Sequence, residues 1–126
     1  KKVILVFGCG GDKDPGKRPL MGKGAGTLPA LPIATSDNPR SEEPIDILRA
    51  VEVGLRESGN RDYVIEPDRH LAIHEAIRRA GPDWAVLVAG KGHERTQIFR
   101  DHTIPFSDLG EITAALDEKL SEGGTR

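Results

Sequence analysis

Two runs in this chain are apolar at every position: VILVFG at residues 3–8 and WAVLVAG at residues 84–90. A strand that alternates has one wet face, whereas a strand apolar throughout must be covered on both. Both runs close in glycine. They therefore read as buried parallel strands, and helices must supply the covering layers. Helical periodicity is present between strand-like runs. Ile45, Leu48, Val51 and Leu55 share one face, introduced by Ser41 and acidic Glu42 and Glu43 as its first turn. Ile73, Ala76, Ile77 and Ala80 repeat at i, i+3, i+4, i+7 until Gly81-Pro82. Leu109, Ile112, Leu116 and Leu120 form a last face, with Asp108 and Glu111 at capping-box spacing.

Weaker strands are LPIATS (31–36) and YVIEP (63–67). RTQIFR (95–100) and TIPF (103–106) flank Asp101-His102, which predicts a hairpin at the sheet edge, where Pro105 is tolerable. The alternation predicts an α/β class: a Rossmann-like three-layer domain with a mostly parallel sheet of about six strands and an edge hairpin. The stretch MGKGAGTLPALP stands where the first crossover helix belongs. Its glycines and prolines oppose helix, so a short or irregular helix is expected there, over Pro19 to Ala25.

At 126 residues the chain is one domain's worth, and residues 1–126 are taken as a single domain. It starts Lys1-Lys2 without an initiator methionine, so a piece of a longer protein is expected. A net charge of -2 offers no broad basic surface to nucleic acid. No apolar run approaches the roughly 18 residues of a membrane span. The single cysteine, Cys9, allows no internal disulfide, which suits a reducing, cytoplasmic compartment. Cys9 itself reads as a small buried residue.

Ligands of open α/β sheets sit beyond the carboxyl ends of the strands. That rule selects Gly8–Arg18, Asp37–Arg40 and Gly90–Glu94. In the first loop, G-D-K-D-P-G-K from Gly11 fits seven places of the phosphate-loop pattern. The eighth, a Ser or Thr that would help hold Mg²⁺, is Arg18. Lys13, Lys17 and Arg18 add positive charge beside glycines able to approach an anion. Asp12 and Asp14 suit pairing with those bases or water-mediated contact with a metal, and a mixed-charge surface turn is the plain alternative. In the second loop, SDNPRSEEP, Arg40 offers a fork matched to a carboxylate, and Asn38 a donor and an acceptor. Turn and cap chemistry accounts for Asp37, Asn38 and Pro39 but leaves Arg40 over. In the third, AGKGHERTQ, Glu94 suits an ammonium group and Gly90 presents a carbonyl. His93 is either a general base or, more commonly for such a residue, a solvated one. His70 and His74, four apart on a helix, have metal-ligand spacing, but the sequence offers no third ligand at a convincing distance.

Taken together, VFGCGGDKDPGKRPLMG, SDNPRSEEP, DRHLAI, VLVAGKGHERTQ and FSD resemble the C-terminal domain of the Mur ligases, in order and through nearly the whole chain. D-N-P-R in the second loop resembles the diaminopimelate-adding members. The resemblance implies ATP-dependent amide formation. A D-glutamate carboxylate of UDP-N-acetylmuramoyl-dipeptide becomes an acyl phosphate, and the amine of the incoming amino acid displaces phosphate. It implies that ATP and Mg²⁺ are held mainly by a central domain outside this chain, with an N-terminal domain also outside it. No catalytic or metal residue is assigned here. The resemblance puts the far carboxylate of meso-diaminopimelate on the D-N-P-R loop, Asp37, Asn38, Pro39 and Arg40, with Asn38 and Arg40 as readers. It puts the neighbouring ammonium on Gly90 and Glu94, and gives Lys17 and Asp12 to the nucleotide. Lys13 stands where the family commonly has an Arg that also touches diaminopimelate. Lysine as substrate lacks the far carboxylate. The competing readings are a folylpolyglutamate synthetase-type domain, disfavoured by D-N-P-R with G-K-G-H-E, and a non-catalytic nucleotide- or amino-acid-binding module.

Overall fold

In a computed structural model, which describes residues 2–28 and 30–124, strands and helices alternate as the sequence predicts. Strand β1 (Lys2–Cys9) leads to α1 (Lys17–Thr27), β2 (Leu31–Ser36), α2 (Pro44–Glu57), β3 (Val64–Ile65), α3 (Arg69–Arg79) and β4 (Trp84–Val88). The short strands β5 (Thr96–Ile98) and β6 (Thr103–Pro105) precede α4 (Asp108–Gly124). The main sheet is parallel with order β3-β2-β1-β4. One face carries Phe7, Cys9 and Ala34 against Ala25 of α1 and Ile47, Leu48, Val51 and Leu55 of α2. The other carries Ile4, Val6 and Ile33 against Ala72, Ile73 and Ala76 of α3.

The main sheet has four strands, not about six. Strands β5 and β6 form their own antiparallel pair instead of extending its edge. The hairpin's backbone is already engaged: the Ile98 N–H donates to Asn38 Oδ1 (3.0 Å) and its carbonyl accepts from the Arg40 N–H (3.0 Å). It bonds the loop after β2 and leaves β4 as an edge strand. That is why WAVLVAG, apolar throughout, is only half-buried, with Leu87 58% exposed.

Helix α1 is regular over 11 residues, longer than the expected short or irregular segment. Two of its glycines, Gly22 and Gly26, serve helix–helix contact. A Cβ on Gly22 would lie 2.0 Å from the Val51 carbonyl oxygen, and one on Gly54 would lie 1.8 Å from the Pro19 carbonyl oxygen. The two backbones therefore touch where side chains are missing. Pro19 sits in the first turn, where an N–H has no intrahelical acceptor to lose.

Other helix readings shift. Helix α2 starts at Pro44, so Ser41 and Glu42 lie in the loop and the buried stripe is Ile47, Leu48, Val51 and Leu55, with Ile45 outside. In α3 Ile73, Ala76 and Ile77 of the expected stripe are buried, while Ala80 lies just past the helix and is half-buried, and the Asp68 side chain caps the Leu71 N–H (3.2 Å). In α4 the expected face holds only at Ile112, which packs against the α3-side core. Leu109, Leu116 and Leu120 are exposed, while Asp108 and Ala115 are buried. Asp108 and Glu111 form no capping box. Ser107 caps the helix instead, its Oγ accepting the Gly110 N–H (3.1 Å), because the Asp108 carboxylate is taken by Arg69.

Candidate functional site

The sheet order places the topological switch between β1 and β4, and the loops after β1, β2 and β4 rise together beyond it. The first loop is closed upon itself. Asp14 Oδ1 accepts the Gly16 N–H (2.9 Å) and the Asp14 carbonyl the Lys17 N–H (3.3 Å), so a carboxylate of the chain sits at the start of α1. Arg18 is buried in a bidentate pair with Glu42, Nη1 to Oε1 at 3.0 Å and Nη2 to Oε2 at 2.6 Å. Those bonds, together with one from the Asp12 N–H (2.8 Å), push the Glu42 carboxyl down to about 2. The position that would carry a Mg²⁺-binding hydroxyl is thus a brace between loops one and two. This loop does not fit a resident Mg²⁺-nucleotide. Asp12, in left-handed backbone (φ 58°), gives its carboxylate to Ser41. Lys17 stands exposed at the first position of α1. Cys9 is buried against Met21 (Sγ–Sδ 3.1 Å), and burial raises its thiol pKa.

Loops two and three converge on Lys91, whose side chain is buried. Its Nζ donates to Asn38 Oδ1 (2.8 Å) and to the Thr96 carbonyl (3.0 Å). It also lies 3.2 Å from Asp37 Oδ1, as an ion pair without hydrogen-bond alignment, and 3.6 Å from Glu94 Oε1. Asn38 is buried and its oxygen is saturated by Lys91 and the Ile98 N–H. Its Nδ2 donates one hydrogen to Glu94 Oε1 (3.1 Å). The second amide hydrogen has no partner among the described residues. Asn38 can therefore only donate to a ligand, beside a carboxylate that can only accept. Gly90 (φ 122°) sits next to this pair. A Cβ there would lie 3.7 Å from Asp37 Oδ2 and would adopt backbone that other residues resist.

Arg40 faces loop one. Its backbone is left-handed (φ 54°), uncommon for a residue with a side chain, and is held by its N–H to Ile98 and its Nη1 to the Gly11 carbonyl (3.0 Å). Arg40 Nη1 and the Lys13 side chain both border Gly10. The two groups meet at Gly11, whose N–H donates to the Asn38 carbonyl (2.7 Å). Asp37, Asn38, Gly90 and Glu94 thus surround Lys91, and Arg40 and Lys13 lie together one residue away. Pro39 is buried between them, its carbonyl oxygen 1.8 Å from where a Gly11 Cβ would be. His93 is exposed.

Beneath the loops, Arg69 is fully buried. Its Nε and Nη2 bind the two Asp108 oxygens (both 2.7 Å), and Nη1 and Nη2 donate to the carbonyls of Ser36 (3.0 Å) and Ala89 (3.2 Å). One guanidinium therefore fixes the spacing between the carboxyl ends of β2 and β4. Gln97, also buried, donates to the Asp37 carbonyl (2.8 Å). Lys91, Arg69 and Gln97 were not singled out by sequence reasoning, and Asp108 was read only as a helix cap. For Arg69 a signal exists: it continues the Ala72, Ile73, Ala76 stripe, and an arginine on a core face needs a buried partner. A lysine between two glycines gives no such signal.

Residues 1–92 match the family described as Mur ligase, glutamate ligase domain. The chain is 49% identical over 108 residues to a UDP-N-acetylmuramoyl-L-alanyl-D-glutamate–2,6-diaminopimelate ligase of Solibacter usitatus (strain Ellin6076), covering 86% of this chain and 22% of the relative. It is 50% identical over 117 residues to the protein of that name from Caldanaerobacter subterraneus subsp. tengcongensis, covering 93% and 24%. A solved structure of a ligase with that name superposes with a TM-score of 0.85 at 40% identity, over 93% of this chain and 24% of that one. The chain thus spans about a quarter of the length of the relatives it matches. The family match takes in β1 through β4 and loops one and two and ends within the third, and on it the chain belongs to the Mur ligase family, as the glutamate ligase domain.

Proposed function

We propose that this chain is the amino-acid-binding domain of an ATP-dependent ligase that joins meso-diaminopimelate to UDP-N-acetylmuramoyl-L-alanyl-D-glutamate. The observation that carries the reading is the Asn38–Glu94 pair, a donor-only amide and an acceptor-only carboxylate 3.1 Å apart, with the Arg40 fork and Lys13 adjoining. A carbon bearing both a carboxylate and an ammonium presents the complementary pattern. The far end of meso-diaminopimelate is such a carbon. Arg40 and Asn38 bind its carboxylate, and Glu94 with the Gly90 carbonyl binds its ammonium. Lys13 adds charge without a second fork. Holding the far stereocentre leaves the near amine to be aimed at the activated D-glutamate carboxyl, so this domain's contribution is placement rather than proton transfer.

ATP and Mg²⁺ belong to the rest of the ligase in this reading, since loop one is filled by its own Asp14 and Arg18–Glu42 contacts. Lys17 projects from the domain and contacts nucleotide phosphates on closure, with Asp12 at the edge of that site. Among the described residues no helix is long and apolar enough to cross a membrane. A cytoplasmic location keeps the lone thiol reduced. The test uses the full-length protein carrying this chain, with UDP-N-acetylmuramoyl-L-alanyl-D-glutamate, ATP, Mg²⁺ and either meso-diaminopimelate or L-lysine. Mass spectrometry should show the diaminopimelate adduct. Preferential formation of the lysine adduct would overturn the assignment.

A further inference from the structure

The sequence leaves the His70–His74 pair without a third ligand, but the fold supplies one from another helix. Glu111 of α4 reaches the pair on α3: its Oε2 lies 2.8 Å from His70 Nδ1 and 3.2 Å from His74 Nε2. The three ligand atoms lie within 4.8 Å of one another. Two imidazoles and a carboxylate around a tetrahedral ion, with bonds of about 2.0–2.1 Å, stand about 3.3 Å apart. The two spacings to Glu111 match this to within tenths of an ångström, and with all three atoms inside 4.8 Å side-chain rotation alone can bring them to one ion. The other nitrogen of His74, Nδ1, faces Glu118 Oε2 at 3.5 Å. A carboxylate behind a ligating imidazole favours the tautomer with its proton on the far nitrogen, and so presents Nε2 as a lone pair. The rings of His70 and His74 lie 4.2 Å apart between centroids, and a nitrogen of each approaches the same Glu111 oxygen.

We propose that His70, His74 and Glu111 form a binding site for a divalent first-row transition metal, zinc foremost, with water completing the shell and Glu118 orienting His74. The donor set of imidazole nitrogen and carboxylate oxygen selects this class over calcium or magnesium. Its location gives it a role. Helix α4 leaves Leu109, Leu116 and Leu120 exposed, so apolar burial holds it weakly. The metal would clamp α4 to α3 one turn from the Arg69–Asp108 pair that spaces the site loops.

Zinc chloride is the probe, titrated calorimetrically into the chain, with Co²⁺ absorption as an independent report of coordination. One site is expected, and saturating zinc should raise the Tm by about 3 °C or more. Glu111→Gln should weaken binding at least tenfold and His74→Ala should remove it, while His102→Ala, on the hairpin, should leave it unchanged. Glu118→Gln tests the orienting role and should cost about tenfold. Glu118 and His102 are surface side chains and Glu111→Gln keeps the side chain's shape, so those variants fold, and circular dichroism verifies this for each. Absence of saturable binding, or binding indifferent to His74→Ala and Glu111→Gln, would overturn the proposal.

Discussion

Lys91 is a cation enclosed by acceptors: an amide oxygen, a main-chain carbonyl and two carboxylates drawn from loops two and three and the start of β5. Removing it leaves Asn38 and Asp37 without their common partner. Lys91→Met should therefore destabilise the domain by about 2–4 kcal/mol, read from urea midpoints, because one member of a buried pair is lost while the other stays. A cost under about 0.5 kcal/mol would show that the loops hold without this hub. Glu42 sets a second expectation. Its carboxyl is depressed to about 2 by Arg18, so its contribution is present above the ordinary carboxylate range and is lost as pH falls. The stability gap between wild type and Glu42→Gln should be widest above about pH 4.5 and close towards about pH 2. A gap equal at pH 6 and pH 3 contradicts the pairing. The two residues differ in legibility. Arg18 stood out in the sequence as the wrong residue for a phosphate loop, though its partner did not. Lys91 was hidden, because nothing in G-K-G says whether the lysine turns inward. Asn38 was legible as a polar loop residue. That its oxygen is spent internally, making it a donor only, depends on a hairpin 60 residues away.

Helices α1 and α2 show how element-scale packing overrides local propensity. Four glycines or prolines in one helical window argue against helix. What decides the matter is Gly54, in a different element, against which the α1 backbone lies. The sequence shows the small residues but not that they face each other. Two substitutions separate propensity from contact. Gly24 has open space around it, so Gly24→Ala should stabilise by about 0.5–1 kcal/mol. Gly22→Ala gains the same propensity but drives a methyl towards the Val51 carbonyl, and should destabilise by about 1–3 kcal/mol. Chemical denaturation of both variants checks the pair, and the same sign for both would mean the helices are not in backbone contact. Helix α4 illustrates the converse. Its leucine periodicity suggested a buried face, yet the packed stripe contains Asp108, Ile112 and Ala115, since α4 packs chiefly on α3 and Asp108 is needed by Arg69.

For the whole molecule, apolar runs and periodicity made the three-layer α/β arrangement legible, while strand pairing was not. Six strands were present to be counted, but whether the hairpin joins the sheet depends on which partner its backbone bonds, and it bonds loop two. The resulting site faces outward beyond β1, β2 and β4, with Arg40 and Glu94, the groups proposed to bind carboxylate and ammonium, on neighbouring loops. The central claim is that Arg40, held in left-handed backbone with its fork anchored on Gly11, reads the far carboxylate of the incoming amino acid. The direct measurement is kcat/KM of the full-length enzyme for meso-diaminopimelate and for L-lysine, in wild type and Arg40→Ala. The diaminopimelate value should fall by about 2–5 kcal/mol in transition-state binding, roughly thirtyfold to a few thousandfold. The lysine value should fall far less, because lysine has nothing for the fork to hold. A diaminopimelate-to-lysine ratio unchanged by the substitution would contradict the account and return the loop to a turn that merely leads into α2.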